Sequence, residues 1–447
     1  MGQLAKFEIP ESRDRMLDRS MEAMDRSDLL AYQEQRLPEA LAYVESHSPF
    51  FAETWKAAGL RADEVSSLAD FCERVPFVDK DTIRAYRGDR RDSLGGLRRM
   101  EHVATLSSST GTTGDPLVLP SGYGYGPTDG GGLARDWWEI GVRPGDAVAF
   151  MLFTFRGAAW LTAHALGASC ALFDHHPAEF ARWSRASVEL QPTLLYLLSG
   201  PLIMAMAYME EAGLLSCDLT EVFASYRGVV IGGEPLGARA RADLERWGGE
   251  PFLHTAVGDV GSATECREHD GLHLSEDSMF VEILDPQGTE PVREGDVGEL
   301  VATTLVPRSA NPLIRFRSED LVRASTAPCR CGRTGMRLWP VGRKGDEVVV
   351  DGRSILPMDV WQIVEAVPES TAGYFQIVRT GRSMPQLKVR VGFDPGETGR
   401  AAVAVRADLT ETIASVLGIA APDIELVDNE VLLRQGPPHK IPRVVSS

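Results

Sequence analysis

Cysteine is scarce in this chain, with six in 447 residues. That excludes a fold stapled by disulfides, and a chain this long buries a core without them. Positive charge is also short: 46 Lys and Arg stand against 64 Asp and Glu, for a formal net charge of -18. A basic nucleic-acid footprint is excluded, and so is attraction to an anionic membrane surface. No hydrophobic run is long and clean enough to span a bilayer. The most apolar stretch, 147–173, carries Arg156 and His164 and reads as a buried strand followed by a helix. The first residues, MGQLAKFEIPESRDRM, lack the apolar core of a secretory signal, and Lys6 stands where a myristoylation signal needs Ser or Thr. A cytoplasmic setting is expected. Also missing are a Walker A loop, an H-E-x-x-H pair, a G-x-S-x-G elbow and a complete dinucleotide fingerprint. GYGYGPTDGGG, 122–132, has the glycines without the spacing and reads as a loop.

What is present is an ordinary globular composition, 43% hydrophobic and 25% charged, at a length that suits about two or three domains. Residues 10–70 read as helical, with apolar residues spaced at three and four. VPFVDKDTIRAY reads as a loop entering a helix capped by Asp79 or Asp81. Beyond the glycine patch, strands (DAVAFMLF, CALFDHH, PTLLYLLS, YRGVVI) alternate with helices (AAWLTAHALGA, GPLIMAMAYMEEAGLL, GARARADLERWG). This alternation predicts an α/β fold with largely parallel sheet. After about residue 275 the texture turns to short strands and Gly, Asp and Pro turns, and from about 345 a small α+β domain is expected.

The stretch LSSSTGTTGDPLVLP, 106–120, reads as strand, loop, strand. Gly111 and Gly114 allow unusual backbone angles and close approach of a ligand. The hydroxyls at 107–113, with exposed backbone N–H groups, can surround phosphate oxygens without a fixed charge. A solvated Ser/Thr/Gly turn is the plainer reading of the same composition.

This loop resembles the phosphate loop S-S-G-T-T-G-K-P of the adenylate-forming superfamily, the acyl-CoA synthetases and their relatives. Ser109 and Thr110 take the place of S-S, Gly111, Thr112, Thr113, Gly114 and Pro116 match directly, and Asp115 replaces the Lys. Four further blocks follow in the superfamily's order. VVIGGEPL, with Gly232, Gly233 and Glu234, resembles the block lining the adenine and acyl pockets. NPLIRFRSEDLVR resembles P-V-I-R-Y-R-T-x-D, whose carboxylate grips the ribose hydroxyls and here is Asp320. VGRKGDEVVVDGRSILPMDV, with Arg343, resembles the hinge block. LLRQGPPHKIPRV resembles the block with the catalytic lysine, here Lys440, with His439 in place of Gly. Within the superfamily the chain is similar to the phenylacetate–CoA ligase group over nearly its whole length, through LPEALAYVESHSPFFAETWKAAGL, EIGVRPGDAVAF, GLHLSEDSMFVEILDP and CRCGRTGMR.

The resemblance implies an α/β protein in two parts. Residues 1–343 would be an AMP-binding and acyl-substrate domain, with parallel-rich sheets and a small β-rich subdomain. Residues 344–447 would be a small α+β lid, mobile about Arg343 to Asp346. It implies ATP-dependent, AMP-forming activation of an aryl or arylacetic acid and transfer to the thiol of CoA. Ser108 to Gly114 would hold the phosphates, Mg²⁺ would bridge them, Asp320 would hold ribose and Lys440 would offset charge at the α-phosphate. An amine or other nitrogen acceptor in place of CoA is the second reading, left room by the departures at Asp115, Gly258, Asp259 and His439. A drifted, non-catalytic nucleotide binder is the third. The expected partners are a small carboxylic acid and CoA, without nucleic acid or membrane; oligomeric state is open, a homodimer included.

The superfamily's Y-G-x-[ST]-E segment, which supplies the Mg²⁺ carboxylate, has no clean counterpart. Aligned on the following V-G, Asp259 takes that role and Thr255 falls on the tyrosine; aligned on T-E, Glu265 does. Asp259 is the preferred ligand, since Asp is a competent hard-oxygen donor. Cys266, Cys329 and Cys331 with His273 or His269 offer a tetrahedral Cys₃His set, though spacing alone equally suits reduced thiols and surface histidines. The resembled group carries zinc at the corresponding cysteines in some members, which points to Zn²⁺, with His273 preferred and His269 the alternative. Cys72, Cys170 and Cys217 read as core, as do Phe153, Phe155 and Trp160. His175 and His176 read as an end-of-strand turn, and Arg156 as a charge needing a buried partner.

Overall fold

The computed structural model describes residues 14–90, 94–95, 103–108, 117–122, 132–151, 159–174, 177–234, 236–306, 309–370, 373–394, 399–434 and 441–446. The loop residues Ser109, Thr110, Gly111, Thr112, Thr113, Gly114 and Asp115 lie outside the described residues. So do Phe153, Phe155, Arg156, His175, His176, His439 and Lys440. Ser108 is described only as the last residue of a strand. The chain forms two compact units. One takes Met1–Val148, Thr154–Ala171 and His254–Pro340; the other takes Ala149–Phe153, Leu172–Leu253 and Val341–Ser447.

In the first unit, helix Arg26–His47 buries Leu29, Leu37, Leu41 and Val44 along one stripe. Ser48 then caps helix Pro49–Ala57, which starts on a proline whose missing N–H costs nothing there. Asp79, rather than Asp81, caps helix Lys80–Arg87 by accepting the Thr82 N–H at 2.7 Å. These helices, with helix Leu68–Arg74, pack Phe50, Phe51, Trp55 and Phe71 against Leu313, Ile314 and Phe316. This unit's strands from residue 254 onward pair antiparallel. Gly298–Thr304 pairs with both Met279–Leu284 and Phe316–Ser325. Gly261–Glu265 pairs with the 254–257 end of Pro251–Val257 and with Leu272–Leu274. Arg337–Arg343 joins Leu272–Leu274 at Arg337 opposite His273. Val103–Ser108 and Val118–Gly122 pair separately.

The second unit holds the parallel sheet that the alternation predicts: Leu194–Leu198, Gly228–Ile231 and the first residues of Pro251–Val257. Helices Gly200–Glu211 and Ala238–Arg246 follow the first two strands. Gly228–Ile231 is buried throughout, as a strand covered on both faces has to be. The parallel expectation holds for the alternating segment from Ala147 to Leu253, whereas after about residue 254 short turns join neighbours as hairpins, which only antiparallel strands allow. Residues from 341 onward add a three-stranded and a four-stranded sheet. They enclose a core of their own, from Val348 to Ile424.

The three cysteines expected in the core are only half-buried; Cys72 packs against the edge of the helical core, while Cys170 and Cys217 are not core. Cys170 sits in Ser169–Leu172, a strand whose residues are all partly or fully exposed. Trp160 is 37% exposed, on the first turn of helix Ala159–Ala165 with its ring edge toward His164, so it is not core either. Among the described residues no helix is long and apolar enough to cross a membrane.

Candidate functional site

Asp259 and Asp320 are brought to a common neighbour. Pro251–Val257 turns into Gly261–Glu265 through Gly258 and Asp259, both with positive φ (+53° and +55°), and the Val260 N–H donates to the Val257 carbonyl. Two left-handed residues closed by that bond make a type I′ turn, which matches the twist of the flanking strands. Glycine and aspartate are the residues that tolerate it. Asp320 lies where Phe316–Ser325 is out of step with its partner: Glu299 faces Leu321 but Val301 faces Arg317. The extra residues form a bulge, with Glu319 at φ +68°, and a bulge re-aims the side chains it carries. Ser318 joins the two features. Its hydroxyl donates to the Leu300 carbonyl at 2.8 Å and accepts the Asp320 N–H at 3.1 Å. A Cβ at position 258 would lie 3.2 Å from the Ser318 Cβ, tight enough that Ser318 would have to give way, so glycine also lets the turn sit close over Ser318. Asn311 adds a tie, its Nδ2 donating to the Asp259 carbonyl at 3.0 Å. Glu265, the other carboxylate candidate, is 7% exposed and engaged by His269 Nδ1 at 3.2 Å.

In the second unit the buried strand Gly228–Ile231 ends in Gly232, whose N–H donates to the Leu198 carbonyl, and in Gly233 at φ +87°. Glu234 follows, and its side chain is 5% exposed. Its carboxylate takes a bidentate grip from Arg443, with Nε at 3.1 Å and Nη2 at 2.6 Å. The Arg443 guanidinium also lies 4.4 Å from the Trp361 ring centroid and 4.8 Å from that of Phe375. Arg343 closes its strand and opens a turn, its carbonyl accepting the Asp346 N–H with Gly345 at φ +90°.

Cys266, His273, Cys329 and Cys331 form the third feature, their ligand atoms all within 4.8 Å of one another. The Cys266 and Cys329 sulfurs are 3.9 Å apart, and Cys331 Sγ is 3.5 Å from His273 Nε2. The Cys331 thiol is held far below its usual range by hydrogen bonding from Cys266, with His273 adding to it, while the same bond and burial push Cys266 up. The turn that presents the pair is tight, with the Gly332 N–H on the Cys329 carbonyl and Gly332 at φ +93°. His269, also at positive φ, is turned to Glu265 instead.

Ser318, Asn311 and Arg443 are the contributors that motif reading passes over. Ser318 and Asn311 fall inside the NPLIRFRSEDLVR block and Arg443 inside LLRQGPPHKIPRV, so proximity to a block was the available signal.

Comparison with known proteins gives the same frame. No family model matches. The phenylacetate–coenzyme A ligase of Thermus thermophilus is 30% identical over 390 residues, 84% of each chain. That of Aromatoleum evansii is 28% identical over 419 residues, 90% of this chain and 91% of its own. The solved structure of 2-hydroxyisobutyryl-CoA ligase in the postadenylation state superposes with a TM-score of 0.84 at 23% identity, covering 99% of this chain and 94% of that one. The chain belongs to the phenylacetate–CoA ligase family of acid–thiol ligases.

One polar chain behind the Asp259 hairpin titrates abnormally. Thr264 Oγ1 donates to Asp136 at 2.7 Å, so His254 Nδ1, 2.8 Å from the same oxygen, carries the proton and donates to it. Desolvation pushes Asp136 up to about 7 from 3.8 and His254 down to about 4 from 6.5. Between pH 4 and 6.5 the folded chain then holds a proton on Asp136 that the unfolded chain lacks, and lacks one on His254 that the unfolded chain holds. The two cancel. Asp136→Asn removes only the first, so its stability relative to wild type is expected to climb with pH across that window, by at most about 1.4 kcal/mol per unit. Urea unfolding of both proteins at pH 4.5, 5.5 and 6.5 checks it; parallel curves would remove the linkage.

Proposed function

We propose that this chain joins an aryl or arylacetic acid to the thiol of CoA through an acyl-adenylate. The observation that carries the reading is the convergence of the Asp259 turn and the Asp320 bulge on Ser318, in a family named for joining phenylacetate to CoA. In the first step a carboxylate oxygen of the acid attacks the α-phosphorus of ATP. The bond to the bridging oxygen breaks and pyrophosphate leaves. Such chemistry asks the protein for position and charge rather than covalent work. Asp320 accepts hydrogen bonds from the ribose hydroxyls. Ser108 to Gly114 hold the leaving phosphates through hydroxyls and backbone N–H groups, and Lys440 offsets charge at the α-phosphate. Gly232 and Gly233 leave bare backbone for a close-lying adenine, with Glu234 and Arg343 flanking. Asp259 would hold Mg²⁺, being partly exposed on a turn tip, whereas Glu265 is buried and engaged. Bound Mg²⁺ supplies neutralisation of the phosphate charge. In the second step the CoA sulfur attacks the acyl carbon, its proton passes to water, the acyl–oxygen bond breaks and AMP leaves.

We assign residues 1–343 to nucleotide and acid binding and 344–447 to a lid that turns about Arg343 to Asp346 between the steps. The separate core from Val348 to Ile424 and the glycine turn at 345 support this. The Cys₃His cluster suits Zn²⁺. Zinc–sulfur bonds of about 2.3 Å make a tetrahedron with edges of about 3.8 Å, and the Cys266–Cys329 separation is 3.9 Å. Arg333, whose Nη1 lies 3.6 Å from Cys331 Sγ, would balance the third thiolate.

ATP–pyrophosphate exchange with phenylacetate and a panel of aryl acids tests the function. Exchange dependent on one of these acids is expected, with CoA as the acceptor that releases product and amines inert. Exchange with none of them would refute adenylation, and product formed with amines alone would refute the thiol. Lys440→Ala is expected to lower exchange by about a hundredfold or more. For the metal, elemental analysis of the purified protein is expected to find close to one zinc per chain. Cys329→Ser and Cys331→Ser should each lose it and melt several degrees lower, by an amount on the order of a structural zinc's contribution.

A further inference from the structure

Two helices of the second unit each end in a charge that their own dipole disfavours. Helix Pro357–Glu365 finishes on Glu365, at the end where outward carbonyls favour cations. Helix Ala238–Arg246 carries Arg239 as its second residue, where free N–H groups favour anions. The mismatch resolves when the two ends meet. The Glu365 carboxylate accepts the N–H groups of Ala238 at 2.9 Å and Arg239 at 2.5 Å. In return Arg239 Nη1 donates to the carbonyls of Val367 at 3.0 Å and Pro368 at 3.1 Å, just past the end of Glu365's helix. Glu365 thus caps the Ala238 helix, and Arg239 clasps the turn that follows Glu365's own helix.

The fit is close. Glu365 is 5% exposed, and a Cβ at the N-cap position, Gly237, would stand 2.3 Å from its Cδ. No side chain local to the Ala238 helix supplies a cap. The Arg443–Glu234 pair ties the same two stretches of chain a second time. Glu365 and Arg443 both lie in the residues from 344 onward, whereas Arg239 and Glu234 border the Gly232–Gly233 turn.

We propose that Glu365 and Arg239 are positioning residues for the first half-reaction. Their two-way hold, Glu365 on the Ala238 and Arg239 N–H groups and Arg239 on the Val367 and Pro368 carbonyls, keeps the 344–447 stretch beside the glycine turn while the adenylate forms, and it parts before the thiol attacks. This rests on the function proposed above, with a lid that moves between two steps. Because each charge is misplaced on its own helix, the contact favours the joined arrangement through hydrogen bonds that water can replace on release.

The half-reactions separate the possibilities. Pyrophosphate exchange with phenylacetate, or with the aryl acid of the panel that gives the fastest exchange, reads the first. Thioester formation from the corresponding supplied acyl-adenylate and CoA reads the second. Glu365→Gln and Arg239→Gln are each expected to lower exchange about tenfold while the second step holds at or above the wild-type rate. Glu365→Asp, which keeps the carboxylate, should recover part of the loss. If Glu365→Gln does not fold, Arg239→Gln, at a partly exposed site, carries the same test. A parallel fall in both half-reactions marks the contact as merely structural and overturns the proposal, and so does exchange unchanged in both variants. Wild-type protein that exchanges with no acid overturns the functional reading and this proposal together, whereas active wild type with indifferent variants overturns this proposal alone.

Discussion

A carboxylate removed from water has to meet a cation or a row of N–H groups, and in this acidic chain that requirement decides which distant segments come together. Glu276 is gripped by Arg26 at 2.6 Å and accepts the Met336 N–H at 2.6 Å, partners 250 and 60 positions away. Arg333 bridges Glu22 and Glu139, 311 and 194 positions away. Even so, desolvation raises the Glu22 carboxyl against the pull of Arg333. Losing one member of such a pair strands the other, at about 3–5 kcal/mol, whereas the intact pair adds little net stability. The pairs therefore specify an arrangement more than they strengthen it.

The same constraint reaches the site proposed for the nucleotide. Arg317 holds Glu299 at 2.6 Å, and these two residues stand at the edges of the register slip that lifts Asp320 out of the ladder. Arg315, two residues earlier, holds Glu282 at 2.8 Å and lies over the Phe77 ring. With the strand leading into the bulge fixed by these two ion pairs, Ser318 serves two neighbours at once, the Leu300 carbonyl and the Asp320 amide. A bulge left to its own backbone would have no such reason to keep one shape.

What the sequence made legible was what depends on near neighbours. Gly232 and Gly233 after an apolar run announce a strand and a turn, and Asp79 announces a cap, because the physical cause of each lies within a few residues. The bulge could not be read in that way. It exists only as a mismatch between two strands, and NPLIRFRSEDLVR looks like an uninterrupted one. The partners of Glu234 and Glu365 were equally hidden, 209 and 127 positions away. Cys266 could be grouped with Cys329 and Cys331 by residue type and His273 preferred over His269, but the cause of that geometry, the strand pairing that sets His273 opposite Arg337 beside the thiol turn, was not legible.

The aspartate at 259 has a local cause of its own. The superfamily pattern carries glutamate in that segment, and aspartate is one methylene shorter. Position 259 is the second left-handed residue of a type I′ turn, a conformation that Asp and Asn adopt far more readily than longer side chains. The turn is pinned on both sides, by the Asn311 amide on the Asp259 carbonyl and by the contact of Gly258 with Ser318. A glutamate would keep the charge but would pay for the left-handed backbone without the short side chain's local hydrogen bonding. Turn type and carboxylate length thus belong together: where the backbone is fixed by a tight hairpin, reach comes from the turn's position over Ser318 rather than from the side chain, and the shorter acid is the one the backbone admits.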